Sequence, residues 1–283
     1  MLEILHHTII DSIKLLPFLF VTYLIMEYIE HKTSKKAKET IKKSGKYGPL
    51  FGSILGIFPQ CGFSVSATNL YSARVITLGT LISVYLVTSD EMIPIFISEA
   101  VPIDVMLKIL GIKLIIGIIA GFAIDLVYRK YHKNQEEEKI VELCEKDHCH
   151  CEEGIIKSSI KHSLNIFIYI LIITFIINLI VHFIGEDVIA SFIYNKPIIG
   201  PILAGLIGLI PNCASSVVLT KMYLENVITV STLISGLLVG AGLGLAVLFK
   251  TNKGVKENIK IVLLLYCIGV ASGIILGFLG INI

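Results

Sequence analysis

Residues 48–83 read GPLFGSILGIFPQCGFSVSATNLYSARVITLGTLIS, and residues 200–235 read GPILAGLIGLIPNCASSVVLTKMYLENVITVSTLIS. At an offset of 152 residues the two stretches align without a gap, and 16 of the 36 positions are identical. Among the identities are Gly48/Gly200, Pro59/Pro211, Cys61/Cys213, Ser64/Ser216 and Thr68/Thr220, and the same offset continues through Lys108/Lys260, Gly117/Gly269 and Gly121/Gly273. A shared register over so long a stretch marks an internally duplicated unit. In each copy a proline motif interrupts an apolar run near its middle, so the spacing predicts two half-helices that meet at a bend.

Around this pair, apolar segments of helical length cover residues 8–29, 77–97, 105–128, 163–184, 229–249 and 259–279. Each is long enough to cross about 30 Å of hydrocarbon as a helix. Hydrophobic residues make up 54% of the chain and charged residues only 16%, which leaves too little polar surface for a soluble domain of 283 residues. Residues 8–29 lack a basic start and a small-residue cleavage site, so they read as a membrane span rather than a cleaved leader.

The charges that remain are sorted by loop. Residues 31–47 hold seven Lys, residues 129–161 seven Lys or Arg, and residues 250–260 four Lys, whereas residues 98–105 hold none and residues 185–199 only Lys196. If each half has three full spans plus a hairpin that enters and leaves on one side, the basic loops all fall on the cytoplasmic face. That fit requires the halves to have opposite orientations. The expected fold is therefore all-α: a polytopic protein of the cell membrane built from two inverted-topology repeats, with about ten helical segments. The expected division is a first membrane repeat at 1–130, a cytoplasmic linker at 131–158 and a second, inverted repeat at 159–283.

Inverted repeats with broken helices at matching positions point to a transporter whose substrate site lies at the repeat interface. Irregular backbone at membrane depth is tolerated only against protein or a water-filled cavity, so the two hairpin tips are expected to line one cavity. The first tip offers Pro59, Gln60, Cys61 and Gly62 followed by Ser64; the second offers Pro211, Asn212 and Cys213 followed by Ser216. Thiols beside carboxamides and hydroxyls suit a soft or borderline metal or metalloid, with Cys61 and Cys213 as the soft donors. Thiols that merely pack are the competing reading. Cys267, which has no counterpart in the other half, reads as a packing residue.

A second cluster is Thr88, Ser89, Asp90 and Glu91, followed by Pro94, inside the apolar run of residues 77–97. Carboxylates within a span are costly and mark ion paths or proton relays, so these four are candidates for ion coupling. Glycines 240, 242 and 244 occupy the corresponding stretch of the second half and are expected to open room opposite the acids. In the linker, Cys144, His148, Cys149, His150 and Cys151 have the donor types of a zinc or copper site but not the spacing of a standard closed one. Arg74 and Lys221, just beyond each hairpin, are expected to snorkel toward water.

The doubled unit, with Phe-Pro-Gln-Cys-Gly-Phe-Ser from residue 58, Ile-Pro-Asn-Cys-Ala-Ser-Ser from residue 210 and Thr-Ser-Asp-Glu from residue 88, resembles the ten-helix heavy-metal exporters related to arsenical efflux permeases, a family also described as manganese transporters. The resemblance covers nearly the whole chain. It implies a secondary permease that exports an arsenical or heavy-metal species by alternating access. Two alternatives stand beside it: a Mn(II) or other divalent-cation transporter using Asp90 and Glu91, and an organic-solute permease with a carboxylate at half-helix N-termini. No phosphate-binding loop supplies a motor, and no HExxH or GxSxG arrangement points to an enzyme. The expected partners are the metal or metalloid substrate and membrane lipid. No cofactor and no nucleic acid are expected, and a homo-oligomer is compatible with these features.

Overall fold

The computed structural model describes residues 45–58, 61–89, 91–131, 155–184 and 198–280, with helical backbone also at six positions between residues 13 and 24. All regular structure among them is helical. The first half comprises α1 (Gly48–Gly56), α2 (Cys61–Ser72), α3 (Leu78–Val87), α4 (Met92–Ser98) and α5 (Ile103–Tyr131). A long helix, α6 (Ile155–Ile184), leads into α7 (Ile199–Gly208), α8 (Ala214–Leu224), α9 (Val230–Val239), α10 (Leu243–Thr251) and α11 (Val255–Phe278). At the offset of 152, α1 to α5 correspond one by one to α7 to α11.

The correspondence reaches the backbone caps. Thr77 and Thr229 stand before α3 and α9 in the same extended conformation, and their side chains accept from the N–H of Thr80 (3.1 Å) and Thr232 (3.4 Å). After α2 and α8, Arg74 and Asn226 adopt left-handed φ values of 59° and 58°. Val75 N–H then donates to Leu70 O and Val227 N–H to Met222 O, both at 2.9 Å, closing the two helices in the same way. A left-handed turn at a non-glycine residue costs about 1–2 kcal/mol, so its presence at both sites reflects the shared need to end the hairpin there.

Glycine ladders set the directions of the helices. Gly48, Gly52 and Gly56 of α1 lie against Thr80, Ser83 with Val84, and Val87 of α3, so α1 and α3 run parallel. Gly121 and Gly117 of α5 lie against Gly79 and Ser83 of α3 in descending order, so α5 runs antiparallel to both. The spacing Gly117-x-x-x-Gly121 brings backbones together where lipid offers no hydrophobic driving force. Gly269 and Gly273 of α11 repeat this contact on Ser235 and Ser231 of α9. Because α1 starts level with α3, and only residues 73–77 separate the end of α2 from α3, α2 must return to the level where α1 began. Helices α1 and α2 thus run in opposite directions.

The apolar runs of residues 77–97 and 229–249 are each broken. The first leaves helical geometry between α3 and α4 at residues 88–91, the second between α9 and α10 at residues 240–242. Lys113, opposite the first break, lies ten residues (about 15 Å) from the start of α5 and twelve (about 18 Å) from Asp125, which meets the start of α3, so the break is near mid-depth. Pro94 sits in the first turn of α4, where its missing N–H needs no partner. Gly242 at φ 54° supplies the left-handed residue that allows the second break.

The start of α3 is held from a distance. Buried Asp125 of α5 accepts from Gly79 N–H (2.9 Å) and the Thr77 hydroxyl (2.8 Å), satisfying donors that a helix N-terminus leaves unpaired. Asp125→Ala is expected to destabilise the protein by about 2 kcal/mol, seen as a lower thermal midpoint in detergent, with Asp125→Asn recovering part of the loss. An unchanged midpoint would mean that water caps α3 equally well.

The halves embrace reciprocally. Helix α2 of the first lies along α10 of the second, with Ser64 at Gly244 and the Ser72 hydroxyl 2.8 Å from that of Thr251, while α8 of the second packs on α4 of the first through Phe96 and Tyr223, 6.1 Å between centroids. Helices α2 and α10 thus run in the same direction. The α3–α4 and α9–α10 spans form the buried centre. Helices α5 and α11 turn Leu107, Ile115, Ile119, Leu263 and Ile275 outward, as lipid-facing helices do.

Candidate functional site at the hairpin tips and helix breaks

The second tip is held by its own polar groups. Buried Asn212 accepts the Cys213 N–H on its side-chain oxygen (2.7 Å), while its own N–H donates to Ile210 O (2.7 Å). The Ser215 hydroxyl donates to Asn212 O (3.0 Å), Ser216 to Cys213 O (2.8 Å) and Thr220 to Ser216 O (2.6 Å). With their protons committed to carbonyls, these hydroxyls keep oxygen lone pairs to present to a ligand. In the first hairpin Thr68 donates to Ser64 O (2.7 Å) in the same way, and both residues are fully buried, with Gly62 buried beside them.

Cys213 is half-buried and packs against a small cluster of Val65, Ile170, Leu243 and Val247. Val65, a member of that cluster, lies one helical turn from Cys61 along α2. Pro211 is half-buried at the same bend. Pro59 and Gln60 lie outside the described residues, and Cys61 is placed by its backbone alone as the first residue of α2. Cys267, expected to pack, instead lies on the exposed face of α11.

Of the acidic quartet, Thr88 and Ser89 are buried at the first break, with hydroxyls donating to Val84 O (2.7 Å) and Val87 O (3.0 Å). Glu91 is half-buried just before α4, where its carbonyl accepts from Ile95 N–H (3.1 Å). Asp90 lies outside the described residues. The glycines of the second break do not leave open space at Gly244: Ser64 and Tyr85 close on it, and its carbonyl accepts from Tyr85 (3.1 Å) and lies 3.2 Å from the Thr68 hydroxyl. These two hydroxyls are themselves 2.5 Å apart. The absent side chain is what lets the halves meet.

Sequence reasoning passed over Lys113. It is fully buried, and its ammonium donates to Thr88 O (2.6 Å), the Ser89 hydroxyl (2.8 Å) and Leu237 O (3.1 Å). Leu237 O is reachable because Ala241 N–H, its partner in a continuous helix, donates to Val239 O (2.8 Å) at the second break. The signal was there: a lysine in the middle of the run of residues 105–128 is costly and marks function by default. Its counterpart in the other half is Leu265, also fully buried. Asn69 of α2 is a second omission. Both side-chain polar atoms are buried without a hydrogen-bond partner, a state that costs about 1–3 kcal/mol and calls for an explanation.

Arg74 does not snorkel. Its guanidinium forks onto Glu257 at 2.8 and 3.0 Å, Tyr71 donates to the same carboxylate, and Arg74 stacks 5.2 Å from the Tyr71 ring centroid. This joins the end of the first hairpin to the start of α11. The linker candidates Cys144, His148, Cys149, His150 and Cys151 lie outside the described residues. Among the described residues, no three His, Cys, Asp or Glu side chains gather as a metal site.

Comparison with known proteins agrees with this architecture. Residues 2–183 and 133–245 match a family model described as "Putative, 10TM heavy-metal exporter". Neither the curated proteins nor the solved structures yield a match. The match covers well over half of the chain, and with the all-helical fold and its apolar spans it identifies the chain as a member of this heavy-metal exporter family, a multi-pass protein of the cell membrane.

Proposed function

We propose that the protein is a secondary permease that exports a trivalent arsenical or soft heavy-metal species by alternating access between two inverted halves. The observation that carries this reading is the reciprocal embrace, in which each hairpin's returning helix packs on the broken span of the opposite half. Movement of one half against the other would expose the tips first to one side and then to the other. Cys61 and Cys213 bind the substrate, and Pro59, Gln60, Gly62, Ser64, Pro211, Asn212 and Ser216 shape its site. Asp90 and Glu91 carry the coupling charge beside Thr88 and Ser89. The Arg74–Glu257 pair latches one end of the interface, which the basic loop of residues 250–260 assigns to the cytoplasmic side.

Lys113 weighs against the Mn(II) alternative. A unit-charge repulsion at 4 Å is about 4 kcal/mol at an effective dielectric of 20, so an ammonium bonded to Ser89 opposes a divalent cation beside it and favours ionised carboxylates there. The test is transport by the purified protein in sealed vesicles, comparing arsenite, methylarsenite, Mn(II) and Zn(II) with and without a proton gradient. Gradient-dependent movement of an arsenical is expected. Movement of Mn(II) alone would transfer the site to Asp90 and Glu91 and leave the thiols structural.

A further inference from the structure

Three oxygens among the described residues that accept from Lys113 come from both halves. Thr88 O and Ser89 Oγ belong to the first break and Leu237 O to the second, and all lie 2.6–3.1 Å from the ammonium. Two of them are carbonyls at the C-terminal ends of α3 and α9, where the helix dipoles concentrate partial negative charge. Carbonyls freed at unwound helix ends are the groups that coordinate monovalent cations in membrane proteins. We propose that the crossing of the two breaks is a monovalent-cation seat and that the Lys113 ammonium is its built-in occupant. At the matching position the second half has the buried, uncharged Leu265 in place of lysine. The halves can then part at the crossing only when Lys113 releases Leu237 O or the first break, and dissolved Na⁺ or K⁺ is shut out of the seat. This holds whatever species is exported.

The experiment is thermal unfolding of the purified full chain in detergent at constant ionic strength, with choline, Li⁺, Na⁺ or K⁺ as the cation, for wild type, Lys113→Ala and Lys113→Met. The alanine variant vacates the seat, while the methionine variant fills the space with an uncharged chain. The wild-type midpoint should be the same in all four salts. Lys113→Ala should be destabilised in choline and recover by several degrees, saturably, in Na⁺ or K⁺, as expected for a ligand bound only by the folded state. Lys113→Met should show no recovery. The proposal is overturned if Lys113→Ala is indifferent to the cation, if it folds in none of the salts, or if wild type or Lys113→Met responds as strongly. Since no exported substrate is present, failure here leaves the permease reading to its own vesicle assay.

Discussion

Cells expressing the Cys61→Ser, Cys213→Ser double variant are expected to lose resistance to arsenite or an organoarsenical entirely, falling to the level of cells without the protein. Serine keeps the shape and removes the soft sulfur, so the change tests the donor and not the space. Cys213 is half-buried against an apolar cluster, and the neighbouring tip hydroxyls already satisfy themselves on carbonyls, so a serine there has a local partner and the fold should survive. Each single variant should weaken export by more than about tenfold, equivalent to about 1.4 kcal/mol of lost binding. The two should be alike, because the tips are related by the repeat. Cys267→Ser, exposed on α11, is the control and should change nothing. Full resistance in the double variant would remove the thiols from the site.

The second large effect is structural. Gly121→Leu and Gly273→Leu are each expected to abolish recovery of folded protein, and the alanine variants to cost about 1–3 kcal/mol, the usual penalty of overpacking. A Cβ on Gly121 would lie 2.7 Å from the Pro49 ring, 2.8 Å from Gly79 O and 3.0 Å from Ser83 Cβ; on Gly273 it would lie 2.5 Å from Ser235 Cβ and 2.9 Å from Ser231 O. Backbone and proline atoms cannot step aside as a flexible side chain could. Gly111→Leu on the same helix as Gly121 is the control, since nothing lies within 4 Å of its Cβ position, and it should fold normally. Folded yield by size-exclusion chromatography in detergent reads all of these. Equal yields for Gly121→Leu and Gly111→Leu would show that α5 is not held against α1 and α3 by close approach.

Together the two experiments separate what holds the halves from what they move. The glycine ladders fix three-helix units, α1 with α3 and α5, and α7 with α9 and α11. The groups proposed to bind or couple lie where these units are interrupted or cross: the tips, the breaks, Lys113 and the Arg74–Glu257 pair. An irregular backbone exposes carbonyls and hydroxyls, and a packed interface between two units has few stable arrangements, which suits a part that must switch.

The amino-acid sequence by itself determined the duplication, the proline hairpins, the apolar spans and the membrane environment, because each is written in local order: identity at a fixed offset, proline at a bend, length of an apolar run. It also placed Cys213 and its hydroxyl companions at a tip. Tertiary structure alone decided which breaks face each other. Residues 77–97 and 229–249 are apolar throughout enough of their length to pass for single helices, and only packing against α5 put the first interruption near mid-depth. Lys113 is one cation in a helix by sequence. Its partners lie 24, 25 and 124 residues away, and no periodicity reports a contact made by bringing two halves together. The same holds for Arg74 and Glu257, separated by 183 residues. Local pattern fixes what each segment can be, while the partner of a buried charge is chosen by the approach of elements distant in the chain.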